Sequence, residues 1–428
     1  MPGIRTGNVN TDVRAGAGTK GTTAVRLRNG RTVIKGAGVV EAPHAEAVKR
    51  QRNYYDFSLL STLIFIFAIG LLVIYSSSQY LAAQEHGSAS YYFSRQLLIG
   101  GLGIVVAIAV SVLPLDYRWL KNGNGFVAKI VYAAVLGLLL LTQVVGIASH
   151  GKTRWLEIGG VTFQPTEPAK IGLIFIIAYV ISKYGPEINK WKNWKQVVLW
   201  TLPIAVLIGS QNISSGFIVI MIAAIMLFVA MDNYKVFMGL LALFLGAVLG
   251  LKPLLHQIIL TAGITERPEH YALRRVFGWA APEIFTTDAY QTQQAIYAIG
   301  SGGIFGHGLG DSLQKYGAIP EVQNDMIFSI VCEEFGFIGA MAIIIIYMYL
   351  LYRIYKIAVN AEDLLGSMLC TGVMAHIGMQ VALNIAVVTG IIPNTGVTLP
   401  FISYGGSAVF FTMCEMGLVL NVAHKIKV

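Results

Sequence analysis

The chain has 428 residues, is 55% hydrophobic and only 12% charged, and its mean hydropathy is +0.64. A soluble globular protein carries roughly twice that charged fraction, so a water-soluble fold is excluded. The formal charge of +9 does not point to nucleic acid, because residues 1–52 hold ten Lys/Arg against Asp12, Glu41 and Glu46, a local +7 with no interleaved aromatics.

Those first 52 residues are rich in Gly, Thr, Arg and Ala and lack helical periodicity, and they read as a disordered basic tail. The first apolar run starts near Phe57, too late and too long for a signal-peptide core, and no small-residue cleavage site follows it. From residue 53 to 428 the expectation is one all-α, polytopic membrane domain. Ten spans are predicted, at 57–77, 96–114, 126–147, 168–184, 196–210, 215–231, 237–258, 326–349, 365–388 and 405–423. Lys and Arg recur in alternate connections: Arg118 and Lys121, the lysines of 183–195, Lys235, Arg353 and Lys356, and Lys425 and Lys427. By the positive-inside rule, both termini are then expected in the cytoplasm.

The opposite side receives three connections, 148–167, 259–325 and 389–404. The middle one joins spans seven and eight and is far longer than an ordinary connection, which marks it as functional or disordered. Its glycine-rich "YQTQQAIYAIGSGGIFGHGLG" is apolar enough to pack on the bundle as a short helix or re-entrant piece. Cys332, Cys370 and Cys414 all fall inside apolar runs and read as small core residues.

Charged groups near membrane depth are costly and are functional candidates by default. The three connections supply Arg154, Glu167 and Lys170, then Arg274, Arg275, Lys315, Glu321 and Asp325, with Glu333 and Glu334 just inside the eighth span. Each has a plainer reading. Glu167 and Lys170 stand three apart after Pro165, as in an ion pair at a helix start. Asp325 falls where a helix dipole favours a carboxylate. Glu333 and Glu334 suit polar contacts between helices. The sequence has no H-E-x-x-H and no G-x-S-x-G, against a metalloprotease or serine hydrolase, and no P-loop for an ATP-driven pump. What remains is a group of cations suited to a phosphate or pyrophosphate, beside carboxylates suited to general base catalysis. That combination fits group transfer from a lipid-linked pyrophosphate.

"GLGDSLQKYGAIPEVQNDMIFSIVCEEFGFIGA", "RWLEIGGVTFQPTEPAK" and "GVTLPFISYGGSA" resemble, in order, three signature elements of the SEDS family (shape, elongation, division and sporulation), which includes FtsW, RodA and SpoVE. The resemblance runs from residue 57 to the end, and the polar N-terminal extension leans toward the FtsW and SpoVE side. It implies a peptidoglycan glycosyltransferase that polymerises lipid II at the outer face of the bacterial cytoplasmic membrane. A class B penicillin-binding transpeptidase is the implied partner, with other division or elongation proteins. The resemblance makes Asp325 the essential aspartate, Lys315 and Glu321 the lysine and glutamate of the same element, and Arg275 the arginine after the seventh span. Arg154 is a further candidate for the pyrophosphate. Glu167, Lys170 and Ser403 take supporting places. Two departures stand out: "QNISSG" puts Asn212 where the family often has an aspartate, and Asn324 replaces the usual threonine before Asp325.

The implied reaction is an inverting transfer. A carboxylate takes the proton of an acceptor hydroxyl, and cations meet the charge developing on the departing polyprenyl pyrophosphate. No resident cofactor is required by the sequence, and a divalent cation is the one candidate to share that charge. Rival readings are a lipid II flippase without bond chemistry and a non-catalytic division scaffold.

Overall fold

The computed structural model of the chain describes residues 24–26, 32–34, 55–113, 116–149, 152–158, 161–317 and 319–426. Within the tail these are β1 (Ala24–Arg26) and β2 (Thr32–Ile34), a short antiparallel pair. The expectation of a disordered tail otherwise lies outside the described residues.

The membrane domain is built on ten long helices. They are α1 (Phe57–His86), α2 (Tyr91–Val112), α3 (Asn122–Val145), α4 (Thr166–Tyr184), α5 (Trp191–Gln211), α6 (Ile213–Ala230), α7 (Tyr234–Thr261), α10 (Ile327–Asn360), α11 (Leu364–Val388) and α12 (Gly406–Lys425). Each coincides with a predicted span. Among the described residues, nine helical segments are long and apolar enough to cross a bilayer. The tenth long helix, α5, opens on Lys192 and Lys195 and carries Pro203, which lower its hydropathy.

The helices differ in what surrounds them. α4 and α11 are buried on nearly every face, through Leu173, Ile174, Ile176 and Ile177 on one and Leu369, Cys370, Val373 and Ile377 on the other. A helix that is apolar all round belongs at a core or in lipid, and these two form the core. α7 is the opposite case, since none of its most apolar window is buried. It meets α6 through the stacked rings of Phe217 and Phe244, 5.6 Å apart. Polar side-chain pairs pin other helices: Arg353 Nη2 lies 2.7 Å from Asp56 at the start of α1, and His376 Nδ1 is within hydrogen-bond distance, 2.8 Å, of Glu415 between α11 and α12.

The connections at the other end of the bundle are ordered. The 147–163 segment is a three-stranded antiparallel meander, β3 (Ile147–Ser149), β4 (Lys152–Ile158) and β5 (Val161–Phe163). The long connection holds two further helices, α8 (Tyr271–Ala280) and α9 (Thr286–Ser301), and then runs into a break in α10.

That break shows how irregular backbone survives beside a membrane. α10 has 34 residues and so runs about 50 Å, well beyond a hydrocarbon core of about 30 Å. Inside it, Gly336 sits at φ 66° and ψ −167°, which interrupts the helical ladder. The freed carbonyls of Glu333 and Glu334 accept from the N–H groups of His307 (3.0 Å) and Gly308 (2.9 Å). The freed N–H groups of Phe337 and Ile338 donate to the carbonyls of Gly303 (2.9 Å) and Ile304 (3.2 Å). The segment after α9 therefore replaces the lost helical bonds one for one, as a low-dielectric setting demands. A side chain at 336 would bring a Cβ to 2.4 Å from Gly306 N, so glycine is required for both conformation and space. Of the glycine-rich stretch, residues 290–301 belong to α9, the short-helix alternative, and the glycines that follow supply this pairing.

Candidate active site

In α8, Tyr271, Arg275 and Trp279 recur every four residues and share one face. That face meets the 389–404 loop. Trp279 Nε1 donates to the Gly390 carbonyl at 2.9 Å, and Arg275 Nη1 donates to the Asn394 carbonyl at 3.4 Å. Arg275 Nη2 donates to the Tyr271 hydroxyl at 2.6 Å, and its guanidinium carbon stands 4.5 Å from the Tyr271 ring centroid. The guanidinium is thus oriented from both sides. Arg267 forks onto Asp288, with Nη2 to Oδ1 at 2.6 Å and Nε to Oδ2 at 3.0 Å, and so ties the approach to α8 to the first turn of α9. Arg274 spends its Nε on the Pro268 carbonyl at 2.7 Å.

Asp325 is 8% exposed and stands just ahead of α10, whose first position is Ile327. The N-cap is Met326, without a side-chain capping bond, and the first turn has no acid. Asp325 therefore stands just outside the first turn and is not the cap of α10. Its main-chain carbonyl accepts from Asn384 Nδ2 at 2.7 Å, and the same amide donates to the Val397 carbonyl at 2.8 Å. Asn384 is fully buried on α11, so one side chain fixes the Asp325 backbone to the 389–404 loop. Burial pushes the Asp325 carboxyl up to about 6. The Arg275 guanidinium, its own backbone N–H and the Asn394 side chain oppose that rise, while Glu321 adds to it. Gly396 separates the two charged groups: a Cβ there would lie 3.6 Å from Arg275 Nη1 and 4.0 Å from Asp325 Oδ2.

A polar cavity of about 200 Å³ opens beside this cluster, lined by residues that include Tyr271, Arg274, Arg275, Asp288, Gln291 and Asn394. Asp325 lies behind Arg275 and Asn394 and does not itself form the lining. A larger groove of about 750 Å³ runs along α1 and α2 under Leu309 and Gly310 and has no charged residue in its wall. Among the described residues, no three His, Cys, Asp or Glu side chains gather as ligands for a metal ion.

The candidates of the sequence divide into two groups. Arg154, on β4, donates through Nε to the carbonyl of Gln211 at the end of α5, at 3.1 Å. Burial lowers its pKa, and so does the positive charge of Arg275, while Tyr271 opposes them. The two guanidiniums thus act on each other across the site, and an anion would relieve both. Glu321 is exposed, takes a left-handed backbone (φ 47°) and accepts from Asn324 Nδ2 at 2.9 Å. Arg154, Arg275, Glu321 and Asp325 therefore belong to one neighbourhood.

Lys315 does not join them. Its side chain is fully enclosed, with Nζ 2.5 Å from the Gly310 carbonyl and 3.3 Å from Glu334 Oε1. Ser76 of α1 donates to the same Glu334 oxygen at 2.5 Å. Its third hydrogen points to Ser76 Oγ at 3.4 Å, so this structure encloses the ammonium among protein partners and does not bring Lys315 to the Arg275 cavity. Glu333 is likewise taken up, accepting from the Leu313 N–H at 2.9 Å and from the Ser312 hydroxyl. Both glutamates hold the returning segment to α10, as interhelical or packing contacts require.

Glu167 and Lys170 pair at 2.9 Å with both side chains buried, although the approach is not aligned as a hydrogen bond. Ser403 closes the last turn of its loop by accepting from the Leu399 N–H at 2.7 Å. Asn212 caps α6, accepting from the Ser214 N–H at 3.0 Å, so this departure from the family pattern has a structural use. Sequence reasoning missed Tyr271, Trp279, Gln291, Asn384 and Asn394. The four-residue spacing in "YALRRVFGW" is the one signal that pointed to the first two.

The FtsW/RodA/SpoVE family, described as cell cycle protein, matches residues 57–428. The chain belongs to this family. It is 32% identical over 388 residues to a Geobacter (strain M18) protein named probable peptidoglycan glycosyltransferase FtsW, covering 88% of this chain and 99% of that one. It is 32% identical over 376 residues to stage V sporulation protein E of Bacillus subtilis, covering 86% and 97%. Among solved structures it is similar to a chain described under the structural coordination of polymerization and crosslinking by a peptidoglycan synthase complex, with TM-score 0.66, 27% identity and 86% and 97% covered. It is also similar to the rod shape determining protein RodA of Thermus thermophilus, with TM-score 0.60, 26% identity and 87% and 97% covered. The family match begins at the first residue of α1 and leaves the basic tail outside it.

Proposed function

We propose that this family member is an inverting peptidoglycan glycosyltransferase that polymerises lipid II, with Asp325 as general base. One observation carries the reading: a carboxyl pushed up to about 6 by burial sits behind a polar, cation-lined cavity. Such a group is ionised near neutral pH yet basic enough to take a hydroxyl proton, the balance that general base catalysis favours. The names of the relatives and the synthase-complex neighbour agree with it.

In this mechanism Asp325 removes the proton from the C4 hydroxyl of an acceptor sugar. The oxygen attacks the anomeric carbon of the donor, and the new glycosidic bond forms with inversion as the bond to the pyrophosphate breaks. Polyprenyl pyrophosphate leaves with the electron pair. Arg275 and Arg154 meet the charge that gathers on it, in a site where burial strengthens each contact. Glu321 reinforces the basicity of Asp325, and Glu167, Lys170 and Ser403 hold α4 and the last loop in place. The reaction faces the outer side of the cytoplasmic membrane, with both termini in the cytoplasm and a class B penicillin-binding transpeptidase as partner.

The test is glycan formation from purified lipid II by the purified protein, with no other glycosyltransferase present. Polymer is the expected result. Lipid movement across vesicles without polymer would establish the flippase reading instead.

A further inference from the structure

We propose that Gln96 of α2 is a positioning residue for the reaction, clamping the 403–405 turn against the segment that carries Asp325. The inference rests on Asp325 being the base. Gln96 is fully buried. Its Nε2 donates to the Ser403 carbonyl at 3.1 Å, and its Oε1 accepts from the Gly405 N–H at 3.3 Å. A carboxamide offers a donor and an acceptor side by side, so this one side chain grips the backbone on both sides of Tyr404. One turn earlier on the same face of α2, Tyr92 sets its ring edge-on against the Tyr404 ring, with centroids 4.8 Å apart.

The other side of that turn meets the segment ahead of α10. The Tyr404 N–H donates to the carbonyl of Gln323 at 2.9 Å, two residues before Asp325. Asn384 ties the Asp325 carbonyl to the Val397 carbonyl, at 2.7 and 2.8 Å. The backbone of 323–325 is therefore bound to the 397–405 stretch at both ends of that stretch, and Gln96 binds the stretch to α2. Between these points the chain is closely packed. The Tyr347 hydroxyl of α10 donates to the Pro400 carbonyl, and a Cβ on Gly70 of α1 would lie 2.3 Å from the Phe401 carbonyl oxygen. Phe401 is fully buried with a left-handed backbone (φ 65°), a conformation that an L residue keeps only where its surroundings hold it. Without the two Gln96 bonds the 403–405 turn is free to shift and to carry Gln323 with it. Misplacing a catalytic group by about 1 Å can cost about a hundredfold in rate.

Gln96→Met keeps the length of the side chain and removes both bonds. Its comparison is Asn421→Leu, which removes a buried amide that donates to the Val110 carbonyl at 2.8 Å. Val110 lies about 21 Å along α2 from Gln96, so the second variant costs the fold a similar bond away from the turn. Polymerisation of lipid II by each full-length purified variant is measured beside its thermal midpoint in detergent. Both midpoints should fall. Gln96→Met should also lower kcat per folded molecule by about tenfold or more, with KM within a factor of about two. Asn421→Leu should leave both constants near wild type. Gln96→Asn carries the amide one carbon short and cannot keep both bonds, so its kcat should fall between; it decides the matter if Gln96→Met does not fold. A wild-type kcat in the folded Gln96 variant, or an equal fall in Asn421→Leu, overturns the proposal. A wild-type rate in folded Asp325→Asn would instead defeat the reading of Asp325 as base, whatever the Gln96 variants show.

Discussion

Asp325 and the Glu333–Glu334 pair lie about two helical turns apart on one segment, and their surroundings give them different chemistry. Glu333 has both oxygens engaged by the segment it secures, and Glu334 is neutralised by the enclosed ammonium of Lys315. Removing one partner of such a buried, matched acid is strongly destabilising, because it strands the other. Asp325 has no ion pair among the described residues. Its carboxyl is raised by burial, tempered by a guanidinium and one amide, and set beside a cavity. Burial alone therefore does not mark a functional acid; what sets Asp325 apart is a carboxyl without an ion pair among the described residues, close to the residues that line a polar cavity.

That comparison can be attacked on either side. Beyond the base itself, the largest expected effect is at Arg275. Arg275→Ala should lower polymerisation per folded molecule by about 10²–10³-fold, as expected when a preorganised charge is removed from a transition state. Arg275→Lys should recover only part, since lysine cannot reproduce the bonds to Tyr271 and Asn394 together. Lys315→Ala should act on stability instead, costing about 3–5 kcal/mol by stranding Glu334. Thermal unfolding in detergent should find most of that loss restored by Lys315→Met combined with Glu334→Gln, with polymerisation per folded molecule near wild type. Should the double variant fold well and fail to polymerise, Lys315 would return to the chemistry.

The pH dependence sharpens the same contrast. Only the ionised Asp325 accepts a proton, so wild-type activity should rise through about pH 6 and fall about tenfold for each unit below it. The smallest effect is expected from Gly396→Ala. Its left-handed backbone (φ 69°) costs a β-carbon about 1–2 kcal/mol, and the added methyl would meet Arg275 and Asp325 at ordinary contact distance. A rate lower by severalfold with an unchanged glycan product would fit, whereas wild-type kinetics would mean that the two charged groups are less closely confined.

The membrane spans were legible because length and hydropathy set them directly. The runs starting at Phe57 and 326 were recovered as α1 and α10, but their ends at His86 and Asn360 were not. Helix continues there past the hydrocarbon under other contacts, and hydropathy cannot see it. The long connection was legible as important, and its glycine-rich stretch as a short helix or re-entrant piece, but the bounds of its two helices were not. α8 and α9 are too polar for a span and too dependent on each other for propensity to define. The pairing of Gly303 and Ile304 with Phe337 and Ile338 is a contact between distant residues that no local pattern announces. Asp325 could be found by resemblance, and Arg275 with it. The enclosure of Lys315 was not legible, because its motif position says nothing about Glu334 closing over it. Asn384 and Asn394 escaped because an amide carries no charge to flag it, and its value appears only when three segments meet.

The most direct measurement compares Asp325→Asn with Glu333→Gln in the same assay, as glycan formed from purified lipid II per mole of folded protein. The account predicts a fall of about 10²–10⁴-fold for Asp325→Asn, with its thermal midpoint kept, and near wild-type turnover by whatever fraction of Glu333→Gln folds. Polymerisation at the wild-type rate by folded Asp325→Asn would contradict it.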